Sequence, residues 1–184
     1  MKAKILVLDA PLAAAGEAVP AMDETTFRVF YDRTSRPVWA YLAKVTGDPR
    51  AADDLLQEAF YRFYRAGAAL ESDAHRKNYL YRIATNLARD RARQRGGAVH
   101  LELLEDEGLP ADARPAQRIE SATDLDRAMA QLKPAQREML WLAYAEGASH
   151  EEIAEVLGVR AANVRSLLSR AKKKLAGLLG GDRG

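Results

Sequence analysis

Cysteine is absent from this 184-residue chain. That excludes a disulfide framework, a thiol nucleophile and a thiolate zinc site. Histidine occurs only at 75, 100 and 150, and none of the three sits in a metal-ligand spacing. There is no Gly-rich phosphate loop and no nucleophile–base constellation. The expectation is therefore a protein that is not an enzyme, with no cofactor and no metal site. Long apolar runs are also missing, and none approaches the ~20 residues that span a bilayer. The opening run Ile5–Leu8 is cut short by Asp9, whereas a secretory segment needs ~7–15 apolar residues. Residues 1–22 read as an N-terminal extension without assigned structure. The expected location is cytoplasmic, with no stable membrane insertion.

Aromatics are scarce, at 7%. What is abundant is Ala, Leu, Arg and Glu, a mixture that favours helices over sheets. An all-α chain of two small helical domains follows, because Gly and Pro divide the sequence once. Residues 23–95 are dense in helical periodicity. Residues 96–120 hold Gly96, Gly97, Gly108, Pro110 and Pro115 and read as a flexible acidic linker. Residues 121–180 are helical again.

Four helices are expected in each domain. In the first, they begin after Asp23, cover about Pro37–Val45, run from Pro49 to about Arg65 behind an Asp48 N-cap, and span about Arg76–Arg95. In the second, they cover roughly 121–131, 134–146, 150–157 and 161–179. Pro134 suits a first helical position, Ser149 and Glu152 make a capping-box pattern, and Gly147 and Gly158 close the preceding elements.

Net charge is only +2, but the charges are sorted. Arg76, Lys77, Arg82, Arg89, Arg91, Arg93 and Arg95 crowd one segment. Arg160, Arg165, Arg170, Lys172, Lys173 and Lys174 crowd another, with no acid between Val159 and Gly180. Glu102, Glu105, Asp106, Glu107 and Asp112 lie between them. Two basic blocks around an acidic linker suggest two contacts with a polyanion. Either block alone reads equally well as a solvated helix face.

Residues 149–166 read as a helix-turn-helix. Ile153, Ala154 and Leu157 form a short apolar face, Gly158 supplies the turn, and Val159 and Val164 fill the angle between the helices. At 100° per residue, Val164, Leu167, Leu168, Ala171, Leu175 and Leu178 fall on one side of the next helix. Ala162, Ser166, Ser169 and Lys173 fall opposite, flanked by Asn163, Arg165 and Arg170. Short side chains bordered by cations suit a major groove, where Arg and Lys can reach phosphates or guanine and Asn163 could read adenine; the alternative is a surface helix of a bundle.

The first domain is less explicit. Helix 49–65 has a core face of Ala52, Leu55, Leu56, Ala59 and Phe63. Its outer face carries Asp54, Gln57, Glu58 and Tyr61, suited to docking on protein, although periodicity alone fits a solvated face as well. Helix 76–95 buries Leu80, Ile83, Ala84 and Leu87. Tyr79, Arg82, Asn86, Asp90 and Arg93 form a stripe beside that core. An aromatic, an amide and several arginines suit single-stranded nucleic acid, where stacking is worth ~1–3 kcal/mol per base. The alternative puts Tyr79 in the core and leaves Asn86 an ordinary polar residue.

With both domains placed, the chain resembles an extracytoplasmic-function (ECF, group 4) RNA polymerase sigma factor of the sigma-70 family, over about Phe27–Leu179. In the first domain the resemblance rests on residues 53–60 (DDLLQEAF) and 79–88 (YLYRIATNLA). In the second it rests on 132–138 (LKPAQRE) and on the helix-turn-helix ending at 168–171 (LSRA). It implies a region 2-like domain at 23–95 and a region 4-like domain at 121–180. It implies that Asp53, Asp54, Leu55, Gln57, Glu58 and Phe60 dock on the β′ clamp helices of core polymerase. The loop around Glu71–Asn78, together with Tyr79, Arg82, Asn86, Arg89, Asp90 and Arg93, would capture the melted minus-10 element. Arg160, Ala162, Asn163, Arg165, Ser166, Arg170 and Lys173 would read the minus-35 element as duplex. The β flap and an anti-sigma factor are further implied partners, and the linker would thread into the polymerase cleft.

Three positions depart from the family pattern. Tyr79 stands where Trp is usual, Arg160 where Ser commonly caps the recognition helix, and Asn163 where Thr is common. The minus-35 sequence therefore cannot be carried over from relatives. The competing reading of the whole chain is a conventional helix-turn-helix regulator with an N-terminal dimerisation or sensing domain.

Overall fold

The structure is a computed structural model that describes residues 22–66, 72–96 and 124–180. The described residues form seven helices and no strand. The N-terminal extension up to residue 21, most of the linker and the start of the expected 121–131 helix lie outside them.

Helix α1 spans Glu24–Thr46. Asp23 caps it: one carboxylate oxygen accepts from the Thr26 backbone N–H at 2.9 Å and the other from the Thr26 hydroxyl at 2.7 Å. The sequence reading splits this segment at Pro37, but the helix runs through. A proline inside a helix forfeits one backbone bond and costs about 3 kcal/mol. Here the buried stripe Phe30, Thr34, Val38, Tyr41, Leu42 and Val45 continues on both sides of Pro37, so tertiary packing outweighs the local penalty. Gly47, at φ 67°, ends the helix in the left-handed region that glycine tolerates.

Helix α2 spans Pro49–Ala66. As the sequence indicates, Asp48 caps it, accepting from the backbone N–H groups of Arg50 and Ala51 at 3.1 and 3.2 Å. Helix α3 spans Asp73–Gln94, three residues longer at its start than the spacing suggests. Ser72 provides the cap, accepting from His75 N–H. These three helices enclose an aromatic core. Phe30 stacks on Phe63 at 4.9 Å, and Tyr31 meets Phe60 at 4.6 Å. Deeper in, the Tyr41 hydroxyl donates to Thr85 Oγ1 at 2.7 Å, because the Thr85 proton is committed to the Tyr81 carbonyl at 2.8 Å.

The C-terminal helices are α4 (Asp124–Ala130), α5 (Pro134–Tyr144), α6 (His150–Leu157) and α7 (Ala161–Gly180). Pro134 occupies the start of α5. The expected capping box is present on α6: Glu152 N–H donates to Ser149 Oγ at 3.2 Å, and Ser149 N–H donates to Glu152 Oε2 at 2.7 Å. Gly158, at φ 71°, makes the turn into α7. Ile153, Val164, Leu167 and Ala171 are buried in the angle between α6 and α7.

The two halves pack against each other, α3 on α6 and α1 on α5. No described helix is long and apolar enough to cross a membrane.

Candidate nucleic-acid and polymerase interfaces

Helix α7 turns its apolar side inward and leaves Arg160, Ala162, Arg165, Ser166, Arg170 and Lys173 exposed on the far side, with Asn163 half-buried among them. The Ser166 hydroxyl is held to the Asn163 carbonyl at 2.9 Å. None of these four cations forms an ion pair among the described residues. The surface is cationic, lacks acids and has small residues at its centre. That is what close approach to duplex phosphates requires.

The α3 stripe is divided by the structure. Tyr79 is half-buried, tilted against Phe63 at 6.1 Å, with the Arg82 guanidinium 5.1 Å above its ring. Tyr79 thus packs partly against the core and keeps the rest of its ring near solvent. Asn86 is exposed, and Asp90 pairs with the exposed Arg93 one turn on. Arg89 does not join them. It is buried, donating from Nη2 to Glu138 Oε2 at 2.6 Å and from Nη1 to the Leu157 carbonyl at 3.2 Å. Asn78 is buried too, with its amide 3.4 Å from Glu152 Oε1. In this arrangement neither residue can reach nucleic acid.

The α2 face needs a similar correction. Asp53, Asp54 and Gln57 are exposed and Glu58 is half-buried. Glu58 accepts from Arg62 at 2.6 Å, and Asp53 accepts from Trp39 Nε1 at 2.7 Å. Leu55 and Phe60 are core residues, 7% and 4% exposed. Helical geometry turns them toward α1 and α3, so they support the acidic face from below and offer no surface of their own. Tyr61 and Tyr64 are exposed on the same helix.

Sequence reasoning missed a polar seam between the halves. Lys77 reaches Glu146 at 3.0 Å, Lys44 pairs with Asp126, and Arg137 donates to the carbonyls of Lys44, Val45, Met129, Ala130 and Leu132. Burial lowers the Arg137 pKa, against the Glu138 charge that raises it. Burial also pushes the Tyr41 and Tyr81 hydroxyls well above the usual phenol range. One signal was available: Glu138 is a lone acid leading into the apolar run Met139–Tyr144, where a charge calls for a partner.

Comparison with known proteins places both halves. The family model described as sigma-70 region 2 matches residues 30–97, and that described as sigma-70 region 4 matches residues 122–175. The ECF RNA polymerase sigma factor SigE of Mycolicibacterium smegmatis is 34% identical over 164 residues, 86% of this chain; the match spans 61% of that protein's length. The ECF RNA polymerase sigma factor SigM of Mycobacterium tuberculosis is 34% identical over 172 residues, 94% of this chain and 85% of SigM. In fold, the chain is similar to the sigma factor RpoE solved in complex with the anti-sigma factor NepR from Bartonella quintana. The TM-score is 0.65 at 23% identity, over 85% of this chain and 98% of that one. With both regions matched in order and relatives matched along nearly the whole chain, this protein belongs to the extracytoplasmic-function sigma factors of the sigma-70 family.

Proposed function

We propose that this chain binds core RNA polymerase and directs promoter-specific transcription initiation. The observation that carries the reading is the outward face of α7: an exposed, acid-free row of cations around small residues, in a chain of this family. On this reading Arg160, Ala162, Asn163, Arg165, Ser166, Arg170 and Lys173 read minus-35 duplex, with the arginines on phosphates or guanine edges. Asn86, Tyr79 and Arg82 hold bases of the melted minus-10 strand, and Arg93 follows its backbone. Arg89 joins them only when α3 is uncovered. Asp53, Asp54, Gln57 and Glu58 dock on the β′ clamp helices, and the C-terminal domain meets the β flap. The work is that of a specificity subunit in the cytoplasm, without chemistry of its own. An anti-sigma factor is the expected regulator, and the RpoE–NepR complex supports that assignment.

The test is transcription in a purified system. Added to core polymerase with a cognate promoter, the chain should give a specific transcript that core alone does not. If it binds operator-like duplex by itself but gives no transcript without another sigma factor, the conventional-regulator reading takes its place.

A further inference from the structure

Trp39 lies on α1 and Asp53 on α2, 14 residues apart in sequence. The turn at Gly47 and Asp48 brings the two helices against each other. The Trp39 indole is half-buried against the core, and its N–H donates to Asp53 Oδ1 at 2.7 Å. Asp53 itself is exposed.

The other acids on the outer face of α2 are held differently. Asp54 lies 3.9 Å from the Arg91 guanidinium on α3, and Glu58 pairs with Arg62 one turn on at 2.6 Å. Each of those carboxylates has a cation beside it that offsets its charge. Among the described residues Asp53 has no ion pair. Its partner is an indole, which donates a hydrogen bond and carries no charge. Asp53 is thus the acid of this face that is fixed in place with its charge undiminished.

We propose that Trp39 is a positioning residue for polymerase docking: its N–H holds Asp53 Oδ1 so that Oδ2 meets an arginine or lysine of core polymerase. An exposed carboxylate that docks gives up rotamer freedom, and a partner already holding it removes part of that cost. A hydrogen bond to a carboxylate is strong enough to select one rotamer even near solvent. The docking surface then reaches from α2 onto α1, and Asp53 contributes more to it than Asp54 or Glu58. The proposal rests on the promoter-initiation reading, in which this face docks on core polymerase.

The test measures affinity of the full-length chain for core polymerase. Trp39→Phe keeps an aromatic ring and removes the N–H, and should weaken binding about 3–10-fold. Asp53→Ala should weaken it about 10-fold or more, and Asp54→Ala less. In the Asp53→Ala background, Trp39→Phe should add nothing. A Trp39 that serves only the fold would instead weaken binding by the same factor in both backgrounds, and that result overturns the proposal.

Asp53→Glu keeps the charge and moves the carboxylate away from the indole. It should bind several-fold more weakly than the parent, and it decides the matter if Trp39→Phe does not fold by circular dichroism. Parent affinity in Asp53→Glu, or in a folded Trp39→Phe, would also overturn the proposal. A parent that does not bind core polymerase removes the initiation reading and this one with it. A parent that binds while Asp53→Ala binds equally well rejects the Trp39–Asp53 anchor alone.

Discussion

Arg137, at the start of α5, donates to the carbonyl of Val45 at 3.1 Å, joining the C-terminal domain to the last turn of α1 across 92 residues of sequence. The same guanidinium donates to Lys44, Met129, Ala130 and Leu132 carbonyls. It thus serves carbonyls at the ends of α1 and α4, where helix dipoles favour a cation. Arg137→Met should lower stability by about 2–4 kcal/mol, since it leaves several half-buried acceptors without a donor. Arg137→Lys should recover little, because one compact ammonium cannot serve two helix ends as a planar fork does. Urea denaturation midpoints of the three proteins decide it, and a Lys variant as stable as the parent would reject the forked role.

The α2 helix separates surface from support. Asp54→Lys and Glu58→Lys should weaken binding to core polymerase while leaving the helical signal intact. Leu55→Ala and Phe60→Ala should act through the fold instead, costing about 2–5 and 3–5 kcal/mol for the lost packing. A binding assay paired with thermal melts distinguishes them. Normal polymerase affinity in the two charge reversals would remove the docking assignment from this face.

Several helix ends were legible in the sequence because capping is local, although the Ser72 cap of α3 was missed. Asp23, the Asp48–Pro49 pair, the Ser149–Glu152 box and Gly158 each act within four residues, so reading along the chain finds them. Pro37 misled because its penalty is local while the stripe that overrides it, Phe30 to Val45, packs on helices far along the chain. The cationic outer face of α7 was legible for the same reason its core is: 100° per residue sorts Val164 and Leu167 from Arg165 and Ser166. Glu138 signalled a buried partner, but which residue pairs with it was not legible. Arg89 and Glu138 are 49 residues apart, and no periodicity links a cation on one amphipathic helix to an acid on another. Leu55 shows where resemblance outran physics, since its own helical phase had already placed it in the core.

The two proposed nucleic-acid surfaces should separate by mutation. Arg165→Ala and Arg170→Ala should each weaken minus-35 duplex binding roughly uniformly and reduce the salt slope by about 1 per lost phosphate contact. An unchanged slope in both would move the duplex contact off this face.

Asn86 is exposed on α3, a different helix from the cationic face of α7. Asn86→Ala should leave minus-35 duplex affinity unchanged and slow promoter opening, read by permanganate reactivity of unpaired thymines. Opening at the parent rate would exclude Asn86 from base capture.

Acid should loosen the molecule, and α6 shows the sign. Hydrogen bonds, first from the Ser149 backbone and then from Asn78 and the Ser149 hydroxyl, hold Glu152 below its ordinary value of 4.5, aided by the Lys77 charge and opposed by partial burial. Asp48 is lowered by the Ala51 N–H and Arg95, and Asp73 by Arg33 and Arg76. A carboxylate whose folded pKa lies below its unfolded one contributes fully above the unfolded value and loses that contribution as pH falls through the folded value. Stability should therefore be flat near neutrality and decline below about pH 4.5. Glu152→Gln should lower the neutral plateau and make the acid decline shallower, because the amide has no proton to take up. Denaturation midpoints measured between about pH 7 and pH 3 read both effects. An acid limb as steep in Glu152→Gln as in the parent would show that the α6 cap does not titrate with folding.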